Sequence, residues 1–119
     1  MSVESFYLGS GNLIVRRFTF VNAVDTFKAG DLLPFATRNA TKMELYIHDQ
    51  TVSSENGKLV FEDGKVTIDL TDVTGLVHNR TYSVSMRVWD DKHPVNGQLF
   101  CHPNMPQGAF KVKAVKSEM

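Results

Sequence analysis

The chain has 119 residues and a mass of 13.4 kDa, the size of one domain. Hydrophobic residues make up 42% and charged residues 22%, ordinary globular proportions that exclude a disordered chain and a fibrous repeat. Lys plus Arg number 13 and Asp plus Glu number 13. The balance removes the excess positive charge that drives binding to nucleic acid or anionic lipid, and the self-repulsion that keeps many proteins apart.

Residues 1–12 carry Phe6, Tyr7 and Leu8 ahead of the first strong strand signal. This segment reads as an arm preceding a single domain over 13–119. An apolar cluster on a terminal arm either adds a strand at home or docks onto a neighbour's edge. The start Met-Ser-Val-Glu-Ser lacks the basic residues and apolar run of a secretory signal. No stretch approaches the ~20 apolar residues of a membrane helix. Synthesis in a cytoplasm is the expectation, and the sequons at Asn39 and Asn79 then carry no meaning.

What recurs from residue 13 onward is short β-rich runs punctuated by Gly, Asn, Asp and Pro, the pattern of an all-β domain. The run 13–21 is apolar on both parities: Ile14, Phe18 and Phe20 on one, Leu13, Val15 and Val21 on the other. That predicts a strand covered on both faces, or a bulge that shifts the register. Residues 27–35, with Gly30 and Pro34, form a loop crossing. Met43, Leu45 and Ile47 then alternate with Glu44 and Tyr46, so the first three face a core. Asp63-Gly64 between two β-rich runs predicts a tight hairpin, with Val66, Ile68 and Leu70 inward on its second strand.

A linker over 71–80 leads into the strongest strand pattern, 81–90. Tyr82, Val84, Met86 and Val88 share one face and Trp89 lies on the other. The spacing of Leu76, Asn79-Arg80-Thr81 and Tyr82 resembles a tyrosine corner, in which a Tyr hydroxyl ties back to the preceding loop. A turn at 90–97, a short strand over 98–102, a stiff loop at 103–108 and a final strand over 109–115 complete the chain. Lys111 and Lys113 read as a guard on an edge strand. The count of about seven strands predicts an immunoglobulin-like antiparallel β-sandwich.

Chemistry-bearing groups are sparse. His93, Cys101 and His102 with Asp90 and Asp91 are the one grouping with metal-ligand chemistry, but no regular zinc spacing orders them. Cys101 stands alone, so no intrachain disulfide forms, and no nucleophile signature surrounds it. Asp90 and Asp91 diverge on a strand end instead of converging as an acid–base pair. Arg16, Arg17 and Phe18 make one basic–aromatic patch of the kind that stacks nucleic acid, which the neutral chain disfavours. Trp89 either anchors an interface or packs under the 90–97 loop.

Ala36-Thr37-Arg38-Asn39-Ala40-Thr41-Lys42-Met43-Glu44-Leu45-Tyr46-Ile47, the hairpin that follows, Gly75-Leu76, the run from Thr81-Tyr82 to Asp90 and His93-Pro94-Val95-Asn96-Gly97 together resemble small β-sandwich proteins of tailed bacteriophages. They are similar to the immunoglobulin-like N-terminal module of phage upper baseplate proteins and related tail or fibre-attachment components. The resemblance spans residues 37–97. It implies a non-enzymatic virion protein without cofactors, metal, nucleic acid or membrane. Its partners would be other tail, connector or capsid proteins, and it would be a homo-oligomer or present in many copies.

The trimeric receptor-binding part that often follows such a module is not in these residues, so an adaptor role is expected. The residues expected at contacts are Phe6, Tyr7 and Leu8 in the arm, Trp89 near the hairpin, and His93, Pro94 and Met105 in loops. A capsid decoration protein is the first alternative. The second is a carbohydrate-binding module stacking sugars on Tyr46 and Trp89, and the third a small hydrolase using Cys101.

Overall fold

The computed structural model describes residues 3–8, 11–20, 22–23, 26–102 and 110–116. Among these, nine strands and a 3₁₀ turn form: β1 (Val3–Leu8), β2 (Leu13–Arg17), β3 (Lys42–Ile47), β4 (Gln50–Ser53), the turn (Ser54–Asn56), β5 (Leu59–Glu62), β6 (Lys65–Asp69), β7 (Thr81–Trp89), β8 (Gln98–Cys101) and β9 (Phe110–Lys116). They pair into a larger sheet, β1-β9-β7-β3-β4 with β8 also beside β7, and a smaller one, β2-β6-β5. The inward side chains of both sheets merge into one apolar core, so the protein is an all-β sandwich. β9 pairs the first half of β7 and β8 the second half, both on the side away from β3.

Alternation builds both sheets. Met43, Leu45 and Ile47 on β3, Val66 and Ile68 on β6, and Val84, Met86 and Val88 on β7 are all buried, while the residues between them are not. The Asp63-Gly64 hairpin forms as its sequence implies. Glu62 pairs with Lys65 and Gly64 takes φ +70°. Leu32 packs over Gly64, where an added Cβ would sit 2.5 Å from the Leu32 Cδ2.

The tyrosine corner is also present. The Val77 N–H donates to the Tyr82 hydroxyl at 2.8 Å, and Asn79 takes the left-handed φ of +72° that the turn demands. One end of the sandwich is plugged by Phe18, Phe35 and Phe100, whose centroids lie 5.0–6.2 Å apart.

Several expectations change. The arm is β1, a strand of the larger sheet that pairs parallel with β9, and Phe6 is 3% exposed within the core. Of the two readings of the arm, the strand added at home is the one that forms, and one strand pair departs from an antiparallel sandwich. β9 lies between β1 and β7, so Lys111 and Lys113 sit on an interior strand and guard no edge.

The run 13–21 is neither covered on both faces nor wholly a strand. β2 ends at Arg17, Ile14 points inward, and Leu13 and Val15 are 70% and 54% exposed because no layer lies outside the smaller sheet. β4 was not foreseen. It arises because His48 and Asp49 both adopt positive φ, 47° and 59°, and close a two-residue hairpin from Ile47 to Gln50 without glycine. The expected stiff loop and Met105 lie outside the described residues.

Asn12 is the polar group that stitches β1 to the rest. Its Oδ1 accepts from the Tyr7 N–H at 2.8 Å and its Nδ2 donates to the Tyr7 carbonyl at 3.0 Å. Its own N–H donates to Thr71 Oγ1, and its carbonyl accepts from Leu70. A buried amide satisfied on both ends in this way replaces a missing strand neighbour.

Candidate functional site

Asp90, Asp91, His93 and Cys101 each make contacts within turn, loop or core. The Asp90 carboxylate accepts from the N–H groups of Lys92 and His93 at 3.0 Å and lies 3.3 Å from the His93 Nδ1. It closes the turn after β7. Asp91 points elsewhere and accepts from the Asn39 amide at 2.8 Å. The Cys101 thiol is buried in the core 3.6 Å from the Val84 carbonyl, and burial pushes its pKa up, away from the thiolate a nucleophile needs. Cys101 faces the core whereas His93 belongs to the loop, so the two do not meet. Among the described residues no three His, Cys, Asp or Glu side chains converge for a metal ion.

Arg16 does not join Arg17 in a basic patch. It lies on the inward parity of β2 and crosses to the larger sheet. Its guanidinium is 3.1 Å from Glu4 on β1 and 4.6 Å from the centre of the Phe110 ring on β9. The residue read as half of a stacking platform is a cross-link between the layers.

Tyr46 and Trp89 share the outer face of the larger sheet, as a sugar-stacking pair requires, but both are engaged. Trp89 lies under the 90–97 loop. Its indole N–H donates to the Val95 carbonyl at 3.1 Å, and a Cβ on Gly97 would come within 2.9 Å of the ring. On the β3 side the Lys42 ammonium sits 4.6 Å from the ring centre. The same lysine pairs with Glu44 at 3.2 Å and Glu55 at 3.6 Å. The Tyr46 hydroxyl donates to Glu44 at 2.7 Å. Partial burial and then this carboxylate raise the Tyr46 pKa, and the Glu44 hydrogen bond raises that of Lys42. The result is a charged lattice laid over a tryptophan whose two flanks are taken.

Among the described residues, two depressions bear on binding. One, of about 240 Å³, runs along β4 past Asn56, Lys58, Asp69 and Asp72, and its cation is held by Asp72 at 2.9 Å. The other, of about 600 Å³, is an open shelf between Phe6, Leu8 and the 71–76 segment.

Of the residues expected at contacts, Phe6 is interior, Leu8 half-buried and Tyr7 exposed on β1. Trp89 and His93 are half-buried and bonded to their own loop, and Pro94 is exposed beside Val95, which is 81% exposed. A bare apolar surface lies on the smaller sheet, partly in the run 13–21 that was read as covered on both faces or bulged. Leu13 and Val15 on β2 and Val60 on β5, the last 62% exposed, share the outer face of the smaller sheet. The signal that could have found them is the second apolar parity in 13–21 and the unbroken Leu59-Val60-Phe61. Comparisons with protein-family models, curated proteins and solved structures return no match.

Proposed function

We propose that the chain is a non-enzymatic structural component of a tailed-bacteriophage virion, an adaptor in the tail or fibre-attachment region that works by being gripped. The observation that carries this reading is the rigid, solvent-facing sheet bearing Leu13, Val15 and Val60. Side chains of this kind gain free energy only when another surface covers them. The resemblance of residues 37–97 to phage sandwich modules supplies the setting. The Asp90, His93, Trp89 and Cys101 groups support it by being committed to turn and core. Repeated placement in a symmetric particle multiplies modest contacts into firm attachment.

Immunogold labelling of purified phage particles, with antibody raised against the chain, tests this. Label at the tail supports the adaptor role. Label over the head moves the chain to capsid decoration. Absence from particles by mass spectrometry overturns the reading.

A further inference from the structure

The outer face of the smaller sheet carries a pattern that defines its own partner. Strand register arranges eight side chains across β2, β6 and β5, and Lys58, which precedes β5 and whose carbonyl accepts from the Asp69 N–H, completes three rows of three. The upper row is Leu13, Asp69 and Lys58; the middle row is Val15, Thr67 and Val60; the lower row is Arg17, Lys65 and Glu62. Asp69 accepts the Thr71 N–H at 2.9 Å, and Lys58 pairs with Asp69 at 3.8 Å and Asp72 at 2.9 Å.

We infer that this face pairs with the same face of a second copy of the chain, about a two-fold axis lying in the interface perpendicular to the strands. The inference deepens the assembly role proposed above and rests on that reading. The operation keeps each strand opposite its own copy and exchanges the upper and lower rows. Asp69 then faces Lys65 of the second copy and Lys58 faces Glu62, each twice by symmetry. The apolar middle row meets itself, Val15 on Val15 and Val60 on Val60. Leu13 meets the aliphatic stem of Arg17, whose guanidinium reaches past it to water.

No like charges oppose each other. The other face-to-face two-fold, parallel to the strands, places Asp69 on Asp69 and Lys65 on Lys65. Like-charge contact across an interface is penalised, so the charge pattern selects one orientation. The zero formal charge of the chain adds no long-range repulsion to this pairing.

Nine residues a side is well below the 20–30 of a standard interface, which makes this a weak dimer with a Kd on the order of 10–100 µM. Such an affinity keeps the free chain largely monomeric when dilute and closes the pair only at the local concentrations of an assembly.

Sedimentation equilibrium of the purified chain from ~10 µM to ~1 mM tests the pairing. Val60 is exposed, so Val60→Asp and Val60→Lys both remain folded, which thermal melts verify. Each variant alone is expected to be monomeric, because it sets like charges against each other across the axis. An equimolar mixture of the two is expected to restore dimerisation. Three results overturn the inference: a wild-type chain monomeric at the highest concentration, either variant dimerising as the wild type does, or Val60→Asp being rescued by Val15→Lys and not by Val60→Lys. The measurement uses the isolated chain, so its outcome is independent of whether particles contain the protein.

Discussion

Replacing Tyr82 by Phe removes one oxygen atom from the corner that joins the 71–80 segment to β7. The ring keeps its place in the core and its edge contact with His48 at 5.2 Å. What is lost is the acceptor for the Val77 N–H, now 2.8 Å away in a partly buried position. A donor left without its partner there costs about 1–2 kcal/mol. With an unfolding entropy near 2.1 cal/mol/K per residue, the melting midpoint falls by about 4–8 °C.

Tyr46→Phe provides the control. It removes a hydroxyl with a bond of equal quality, 2.7 Å to Glu44 and also part-buried, but no donor is orphaned, because the Glu44 carboxylate keeps its ion pair with Lys42. The cost there is below about 0.5 kcal/mol, or about 2 °C. Calorimetric melts of the wild type and both variants at neutral pH give the comparison. Midpoints of the two variants that agree within about 1 °C would refute the assignment of Tyr82 as a corner.

Three further substitutions test the polar stitch, the hairpin turn and the Asp63 carboxylate. Asn12→Ala removes both bonds to the Tyr7 backbone and is expected to lower stability by about 1–3 kcal/mol. Hydrogen exchange should speed at Tyr7 while β7 stays protected, and unchanged exchange at Tyr7 would contradict the stitching role. Gly64→Ala forces a Cβ at φ +70° against Leu32 and should cost about 2 kcal/mol or more. The Leu32 Cβ is itself 2.6 Å from the added Cβ, so part of that loss should be recovered in a Leu32→Gly background, and a melting midpoint of Gly64→Ala equal to wild type would contradict the clash.

The third outcome concerns Asp63. The Thr37 hydroxyl and N–H donate to its carboxylate at 2.6 and 3.0 Å and hold its pKa below the ordinary value. A folded pKa below the unfolded one adds stability that is full above about pH 4 and is lost as pH falls through the folded value. Thr37→Val should therefore raise the Asp63 midpoint in a carboxyl NMR titration, and an unmoved midpoint would show that the hydroxyl contributes nothing.

Much of the fold was legible because alternation is a property of a few neighbouring residues. Met43, Leu45 and Ile47, the Asp63-Gly64 turn, and the Leu76 to Tyr82 spacing each state their own conformation. The β4 hairpin was not legible, because His48-Asp49 carries no glycine and only pairing with β3 holds both residues at positive φ. The parity of Trp89 left open an interface anchor or a place under the 90–97 loop, and only the approach of Gly97 and Lys42, brought to its flanks by β8 and β3, puts it under the loop.

The sequence by itself determined which side chains share a face of each strand, since the two-residue period is local. Whether a face meets a second layer or water is decided elsewhere in the chain. Leu13 and Val15 are as apolar as Ile14, yet they stand in solvent because the larger sheet, the one other layer, packs on the opposite side of β2. Phe6 lies in the core because β9, more than a hundred residues later, receives β1 in parallel. Burial is a property of the assembled layers, so the tertiary structure alone chose which apolar residues close the core and which remain available to another surface.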